Sequence, residues 1–310
     1  MAAVTVVITS YNQGPLIREA VESALSQTVR PERIIIVDDG SDEQTSVDVL
    51  SAILDDCRHG ALDTGGVAVD FIDQVNAGPN GVGAGAARNR GIAAAGTPFV
   101  VVLDGDDRLM PTFIERTLPL LTADDSMVAS SGWLRTFGVL DSVVQPTGGD
   151  AGAFVSHNCC PATCMIRRSA WERCGGYDES MRSGFEDWDL FLSMLERGLE
   201  PKDDAGKGAA HIGIAPEPLI EYRTAPASSN VTSMTKRLDL MRFLIAKHRD
   251  LYAAHIADAI LGVEAISMSR LAMWESLMRG DTTTSQAFMT PPMATAEWPP
   301  PFGYKAESDC

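Results

Sequence analysis

The chain has little of what would place it in a membrane or on a nucleic acid. No apolar run approaches the ~18 residues that a bilayer-spanning helix needs, so no integral membrane span is expected. Basic residues are scarce: 25 Lys and Arg stand against 42 Asp and Glu, a net charge of −17. Nucleic acid and anionic membrane surfaces both recruit a basic patch, so neither is expected as the main partner. The first residues run straight into Val4-Thr5-Val6-Val7-Ile8, with no basic n-region and no small-residue cleavage site ahead of them. No signal peptide is therefore expected, and the expected location is cytoplasmic. Six cysteines in 310 residues are too few for a disulfide scaffold. Cys159, Cys160, Cys164 and Cys174 cluster, but they lack the paired C-x2–4-C knuckles of structural zinc sites. Buried free thiols are the simpler reading.

What is present is a well-stocked core: 45% of residues are apolar and 22% charged, enough for one large domain or two ordinary ones. Val4–Thr9 is a continuous β-branched run, as a buried parallel strand requires. Leu16, Ala20 and Leu25 follow at helical spacing behind Gly14-Pro15. Arg33–Val37 reads as a second buried strand, Thr45–Cys57 as a helix and Val67–Val75 as a strand. Gly85–Ala95 reads as a helix and Phe99–Leu103 as another buried strand. Strands alternating with helices imply βαβ units, with ligands beyond the strands' C-terminal ends. Polar clusters fall at those ends: Thr9-Ser10-Tyr11, Asp38-Asp39, Asn76 and Asp104 to Asp107. Beyond residue 125 the alternation stops, and Trp133–Ala162 fits short strands and loops. Ser169–Cys174 and Asp187–Arg197 read as helices and Leu219–Arg223 as a strand. Helical periodicity returns over Lys236–Arg279, as an amphipathic pair packing on the domain or on a second subunit. A Pro-rich tail with Pro291-Pro292 and Pro299-Pro300-Pro301 follows.

Three constellations could carry chemistry. Asp104-Gly105-Asp106-Asp107 ends a buried strand with three mutually repelling carboxylates. A divalent cation with oxygen ligands, Mn²⁺ or Mg²⁺, explains them better than a solvated turn does. Gly81-Val82-Gly83-Ala84-Gly85-Ala86 fits a dinucleotide fingerprint, with Asp104 about 20 residues on. Asn76 to Asn80 intervene after the strand, however, and Asp106 and Asp107 would be left without a role. An NAD(P)-dependent oxidoreductase is thus the weaker alternative. Glu186-Asp187-Trp188-Asp189 sets carboxylates beside aromatics at a helix start. These acids could cap the helix, or a partly desolvated one could act as general base.

The motifs Val6-Val7-Ile8-Thr9-Ser10-Tyr11-Asn12, Ile36-Val37-Asp38-Asp39-Gly40-Ser41, Ala87-Arg88-Asn89-Arg90-Gly91, Leu103-Asp104-Gly105-Asp106-Asp107 and Glu186-Asp187-Trp188-Asp189-Leu190 occur in this order. Together they resemble family 2 glycosyltransferases, over about residues 3–225. The resemblance implies a GT-A fold: α/β, with a Rossmann-like mixed central sheet flanked by helices. Its nucleotide-sugar-binding and catalytic domain would occupy 1–225, with a donor half to about 107 and an acceptor half over 108–225. A helical extension and irregular tail would fill 226–310. It further implies inverting, metal-dependent transfer from a nucleoside diphosphate sugar to an acceptor hydroxyl, or an inactive protein that keeps only the donor site. Thr9 and Tyr11 would line the base pocket. Asp39 would accept from the base's ring N–H, which suits UDP first and dTDP second. Arg88 and Asn89 would lie near the donor. Asp106 would bind the metal directly, with Asp104 nearer the ribose or a metal-bound water. Asp187 would be the base and Glu186 its acceptor-side neighbour. Many relatives place a metal-binding His after a Tyr-Arg pair, whereas Tyr222-Arg223 is followed here by Thr224-Ala225-Pro226. Whether a third protein ligand exists is therefore left open, with water able to take its place, and His211 reads as structural. The Q-x-x-R-W element of processive synthases is absent too, so single transfer is expected. A homodimer through 236–279 would use the apolar helical faces.

Overall fold

The computed structural model describes residues 2–73, 81–199, 209–225, 233 and 235–278. Its first half is β1 (Ala2–Ser10), α1 (Leu16–Leu25), β2 (Pro31–Asp38), α2 (Gln44–His59), β3 (Ala68–Asp73), α3 (Ala84–Ala94) and β4 (Phe99–Asp104). These strands lie in the order β3-β2-β1-β4, all parallel. Val4–Thr9, Ile34–Val37 and Phe99–Leu103 are buried, and alternation sorts them by face. Val6, Ile8, Ile34, Ile36, Val101 and Leu103 pack under α1 and α2, while Val7, Ile35, Val37, Val100 and Val102 pack under α3. Gly91 lets α3 sit close, because a Cβ there would lie 2.2 Å from Val7 Cγ1.

The second half adds β5 (Arg108–Leu109), α4 (Phe113–Ala123), β6 (Met127–Gly138), β7 (Ser142–Val144), α5 (Ala151–Phe154), β8 (Cys164–Arg167), α6 (Arg168–Cys174), α7 (Glu186–Arg197) and β9 (His211–Thr224). Beyond β4 the sheet continues β8-β6-β9-β5, with β7 on β6. β8 is antiparallel to both β4 and β6, so the sheet is mixed. The fold class is as expected from the sequence: mixed α/β with a curled central sheet flanked by helices. Two strands run longer than expected. In β6, small polar residues look like a loop, yet Ser130 and Ser131 are buried and donate to the Thr117 and Thr163 carbonyls. In β9, Pro216 and Pro218 fall where the pairing with β6 shifts register, so the strand survives them.

Next come the helices α8 (Arg237–Lys247), α9 (Arg249–Ala254) and α10 (Ile256–Met278). Leu244, His248 and Tyr252 are buried against the rest of the fold. Lys247 Nζ reaches Asp178 at 2.6 Å and Asp189 at 2.8 Å. His248 bridges Asp189 at 3.0 Å and Glu196 at 2.8 Å. Asp189, in the first turn of α7, is therefore an anchor for the extension rather than a cap facing solvent. Asn76 to Asn80 and the Pro-rich tail lie outside the described residues.

Candidate active site

The order of the parallel strands reverses at β1, whose neighbours are β2 on one side and β4 on the other. A crevice opens at such a switch point, beyond the strands' C-terminal ends. Register places Thr9 opposite Asp104 across it, and the Thr9 hydroxyl donates to Asp104 at 3.3 Å. Arg88, projecting from α3, closes the crevice from the side. Its Nη2 lies 2.7 and 3.0 Å from the two Asp104 oxygens, and its Nη1 lies 2.9 Å from Glu186. Only 3% of the Arg88 side chain is exposed. Burial opposes its charge, yet Asp104, Tyr177 and Glu186 hold its pKa well above the ordinary value. One guanidinium thus joins the end of β4 to the start of α7, where Glu186 lies 98 residues beyond Arg88.

The acidic loop after β4 splits into different tasks. Asp104 is taken by Thr9 and Arg88. Asp107 is 2% exposed and accepts the Arg223 backbone N–H at 2.8 Å. Burial, with help from Asp104, pushes it up to about 8. Arg223 also donates to the Asp106 carbonyl at 3.0 Å and pairs with Glu19 at 2.7 Å, pinning the loop from β9. The Asp106 carboxylate is raised by burial and then by Asp104, and no cation of the described residues pairs with it. Among the described residues no three His, Cys, Asp or Glu side chains converge on a metal position. Asp104 and Asp106 nevertheless fit the oxygen set that Mg²⁺ or Mn²⁺ takes when substrate phosphates and water complete its shell. A repelling, half-buried pair is what a cation would relieve. His211 stands at the far end of β9, beside Asp124 at 3.4 Å. The clustered cysteines are free and buried, as read from their spacing.

On the other side of β1, Asp38 is used by Ser41, which donates through its N–H at 3.0 Å and its hydroxyl at 2.6 Å. Asp39 accepts instead from the Val82 and Gly83 N–H groups at 2.9 and 2.8 Å. Gly81 and Gly83 adopt φ of 63° and 108°, and a Cβ on Gly81 would lie 2.2 Å from the Asp39 carboxylate. The glycine-rich turn therefore encloses a carboxylate. A dinucleotide fingerprint would turn the same N–H groups towards a pyrophosphate, whereas here the Val82 and Gly83 N–H groups are already taken by Asp39. Tyr11 is half-buried just beyond Ser10. Asn89 bonds to Trp171, Tyr177 and Glu179, fixing the segment that runs beneath Arg88.

At the start of α7, Phe185 occupies the N-cap with φ 67° and without a side-chain cap. Asp187 takes one free N–H of the first turn, that of Trp188 at 2.8 Å, through Oδ1. Its Oδ2 accepts from Asn158 Nδ2 at 2.9 Å. Burial first, and Glu186 second, raise Asp187 to about 6. The Phe185 and Trp188 rings, 5.3 Å apart, supply part of that apolar surround. Asn158 also lines a cavity of about 250 Å³ with Gln145, Thr147, His157, Cys160 and Pro161. Burial lowers the His157 pKa, so this cavity presents neutral polar groups near Asp187. Asn158 and the pinning role of Arg223 escaped the sequence reading. Asn158 sits in a loop with no motif around it, and Arg223 was singled out only as the residue before a missing histidine.

The model of a family described as Glycosyl transferase family 2 matches residues 5–175. The uncharacterized glycosyltransferase YibD of Escherichia coli is 34% identical over 125 residues, 40% of this chain and 32% of that protein. The succinoglycan biosynthesis protein ExoO of Rhizobium meliloti is 34% identical over 126 residues, 41% of this chain and 32% of that protein. The match thus spans about a third of the length of these relatives. Staphylococcus aureus TarS 1-349, solved in complex with UDP-GlcNAc, superposes with a TM-score of 0.59 at 14% identity, covering 88% of this chain and 77% of that one. The mannosyltransferase PcManGT from Pyrobaculum calidifontis, in complex with GDP-Man and Mn²⁺, gives 0.54 at 17%, covering 93% and 84%. At such identities the likeness concerns the fold.

Proposed function

Because this chain belongs to glycosyl transferase family 2, we propose that it transfers a sugar from a nucleoside diphosphate donor to an acceptor hydroxyl, with inversion at the anomeric carbon. One observation carries the reading: Asp187, raised to about 6, lies beside a polar cavity, while Glu186 next to it is tied through Arg88 to the donor-side Asp104.

Thr9 and Tyr11 line the base pocket at the end of β1, with the Tyr11 ring stacking on the base. Asp39 accepts from the base's ring N–H. The glycine turn holds the Asp39 carboxylate in place through two backbone N–H groups. Uracil fits this donor requirement, thymine also, and cytosine does not. Arg88 and Asn89 shape the donor side, Arg88 by fixing Asp104 and Asn89 by fixing the segment at Tyr177. Asp106, with Asp104 beside it, holds Mn²⁺ or Mg²⁺. When bound, that ion neutralises the charge that builds on the departing diphosphate. The neighbours solved with UDP-GlcNAc and with GDP-Man and Mn²⁺ support this class of donor and cofactor.

The acceptor enters through the cavity of Gln145, Thr147, His157 and Asn158. Asn158 holds Asp187 Oδ2, so the carboxylate keeps one orientation. As the acceptor oxygen bonds to the anomeric carbon, the bond from that carbon to the diphosphate oxygen breaks on the opposite face. The acceptor proton passes to Asp187. One carboxylate is enough for this proton transfer. The reading includes a cytoplasmic location and two copies associating through 236–279, supported by exposed Leu238, Phe243 and Ile245 and by the outer face of α10.

A thermal-shift screen of nucleotide sugars with and without Mn²⁺ tests the donor assignment. Uridine donors should raise Tm in a metal-dependent way and cytidine donors should not. Equal shifts from UDP and CDP would refute the role of Asp39.

A further inference from the structure

The outer face of α10 carries a pattern that its packing on the domain does not use. The inner side of the helix is set by small residues: a Cβ on Gly262 would lie 2.4 Å from Ser156 Oγ. The opposite side presents Ile256, Ile260, Val263, Leu271, Trp274 and Met278, which are 47–70% exposed, with Ser267 also exposed among them. At 100° per residue these seven positions fall within an arc of about 80°, a straight stripe about 33 Å long. Charged residues border it, with Glu264 and Glu275 against Arg270, but none lies within it.

The stripe is symmetric about its middle. Ile256 and Met278 lie eleven residues either side of Ser267, Ile260 and Trp274 seven, and Val263 and Leu271 four. A surface that reads the same from both ends about a small central residue matches an antiparallel copy of itself. Self-matching of this kind is what a two-fold interface demands. A lipid surface fits less well, since the chain's net charge of −17 opposes anionic headgroups. On the order of 100 Å² of exposed surface per apolar side chain gives about 1,200 Å² buried by a pair, above the ~1,000 Å² a stable interface should clear.

We propose that two copies of this chain pair through α10, antiparallel, with the two-fold axis at Ser267. The proposal deepens the two-copy reading above and rests on it. Ile260 of each copy then packs on the partner's Trp274, and Val263 on the partner's Leu271. Helix axes 8–10 Å apart put the two Cα atoms at position 267 roughly 4–5 Å from each other, within reach of a disulfide.

Light scattering on the full chain should give twice the monomer mass, falling to the monomer for Val263→Asp with an unchanged circular dichroism spectrum. A wild-type monomer overturns both the pairing and the two-copy reading, whether or not the stripe then binds neutral lipid vesicles. Oxidative cross-linking separates the two claims. In a Cys310→Ser background, Ser267→Cys should link two chains, whereas Ile260→Cys should not, since its two copies would stand about 21 Å apart. A dimer that links at 260, or fails to link at 267, overturns the antiparallel geometry while leaving the two-copy reading intact.

Discussion

Burial and the neighbouring Glu186 raise Asp187 to about 6, so its base form is filled in the neutral range and empties below it. Transfer should therefore rise with pH through about 6 and level off by about 7. In Asp187→Asn that inflection should vanish, kcat should fall by ~10²–10⁴-fold, and the donor KM should stay near wild type, because the substitution removes proton transfer alone. A variant that keeps the wild-type rate would make Asp187 a helix-end residue and turn attention to Glu186. Asp106→Asn should instead abolish the Mn²⁺ enhancement of UDP binding in calorimetry while leaving the fold intact. Wild-type affinity in Mn²⁺ would contradict the metal assignment. At this scale, residues at strand ends were legible, since Thr9, Asp39 and Asp104 follow continuous apolar runs that place them by themselves. Asn158 was not. Its partner lies 29 residues away, and only the folded loop brings the amide to Asp187.

Helix α8 is held to α7 by a buried cluster in which Asp189 is fully enclosed and His248 is 1% exposed. Burial opposes the imidazolium, but the bonds to Asp189 and Glu196 outweigh it and raise the His248 pKa. A raised folded-state pKa adds stability that is complete below the unfolded value near 6.5 and is lost as pH rises through the folded value. His248→Ala removes one partner of a buried pair and should cost about 2–4 kcal/mol. Thermal melts should show a larger loss at pH 6 than at pH 9; an equal loss at both would mean that the imidazole is neutral in the folded protein. Elements with strong periodicity, β1, β2, β4 and α7, could be read from the residues alone. The full length of β6 and of β9, of which only Leu219–Arg223 reads as a strand, could not, because small polar residues and prolines carry the local signature of loops. Their extent is set by tertiary hydrogen bonds from Ser130 and Ser131 and by register shifts opposite Pro218. The glycine turn shows the converse: its pattern is visible, but the carboxylate it encloses is not.

At the scale of the fold, Arg88 spans from Asp104 at the end of β4 to Glu186 at the start of α7, at the side of the crevice. We propose that this crevice binds a uridine diphosphate sugar and that Asp187 drives attack on it. Release of UDP from UDP-sugars, followed with and without Mn²⁺ and with the anomer of the freed sugar observed by NMR before it equilibrates, tests that claim most directly. Release should be metal-dependent and the freed sugar inverted, with at least a hundredfold loss in Asp187→Asn while UDP binding is preserved. Retained configuration, equal release by Asp187→Asn, or tight donor binding with no release at all would contradict it.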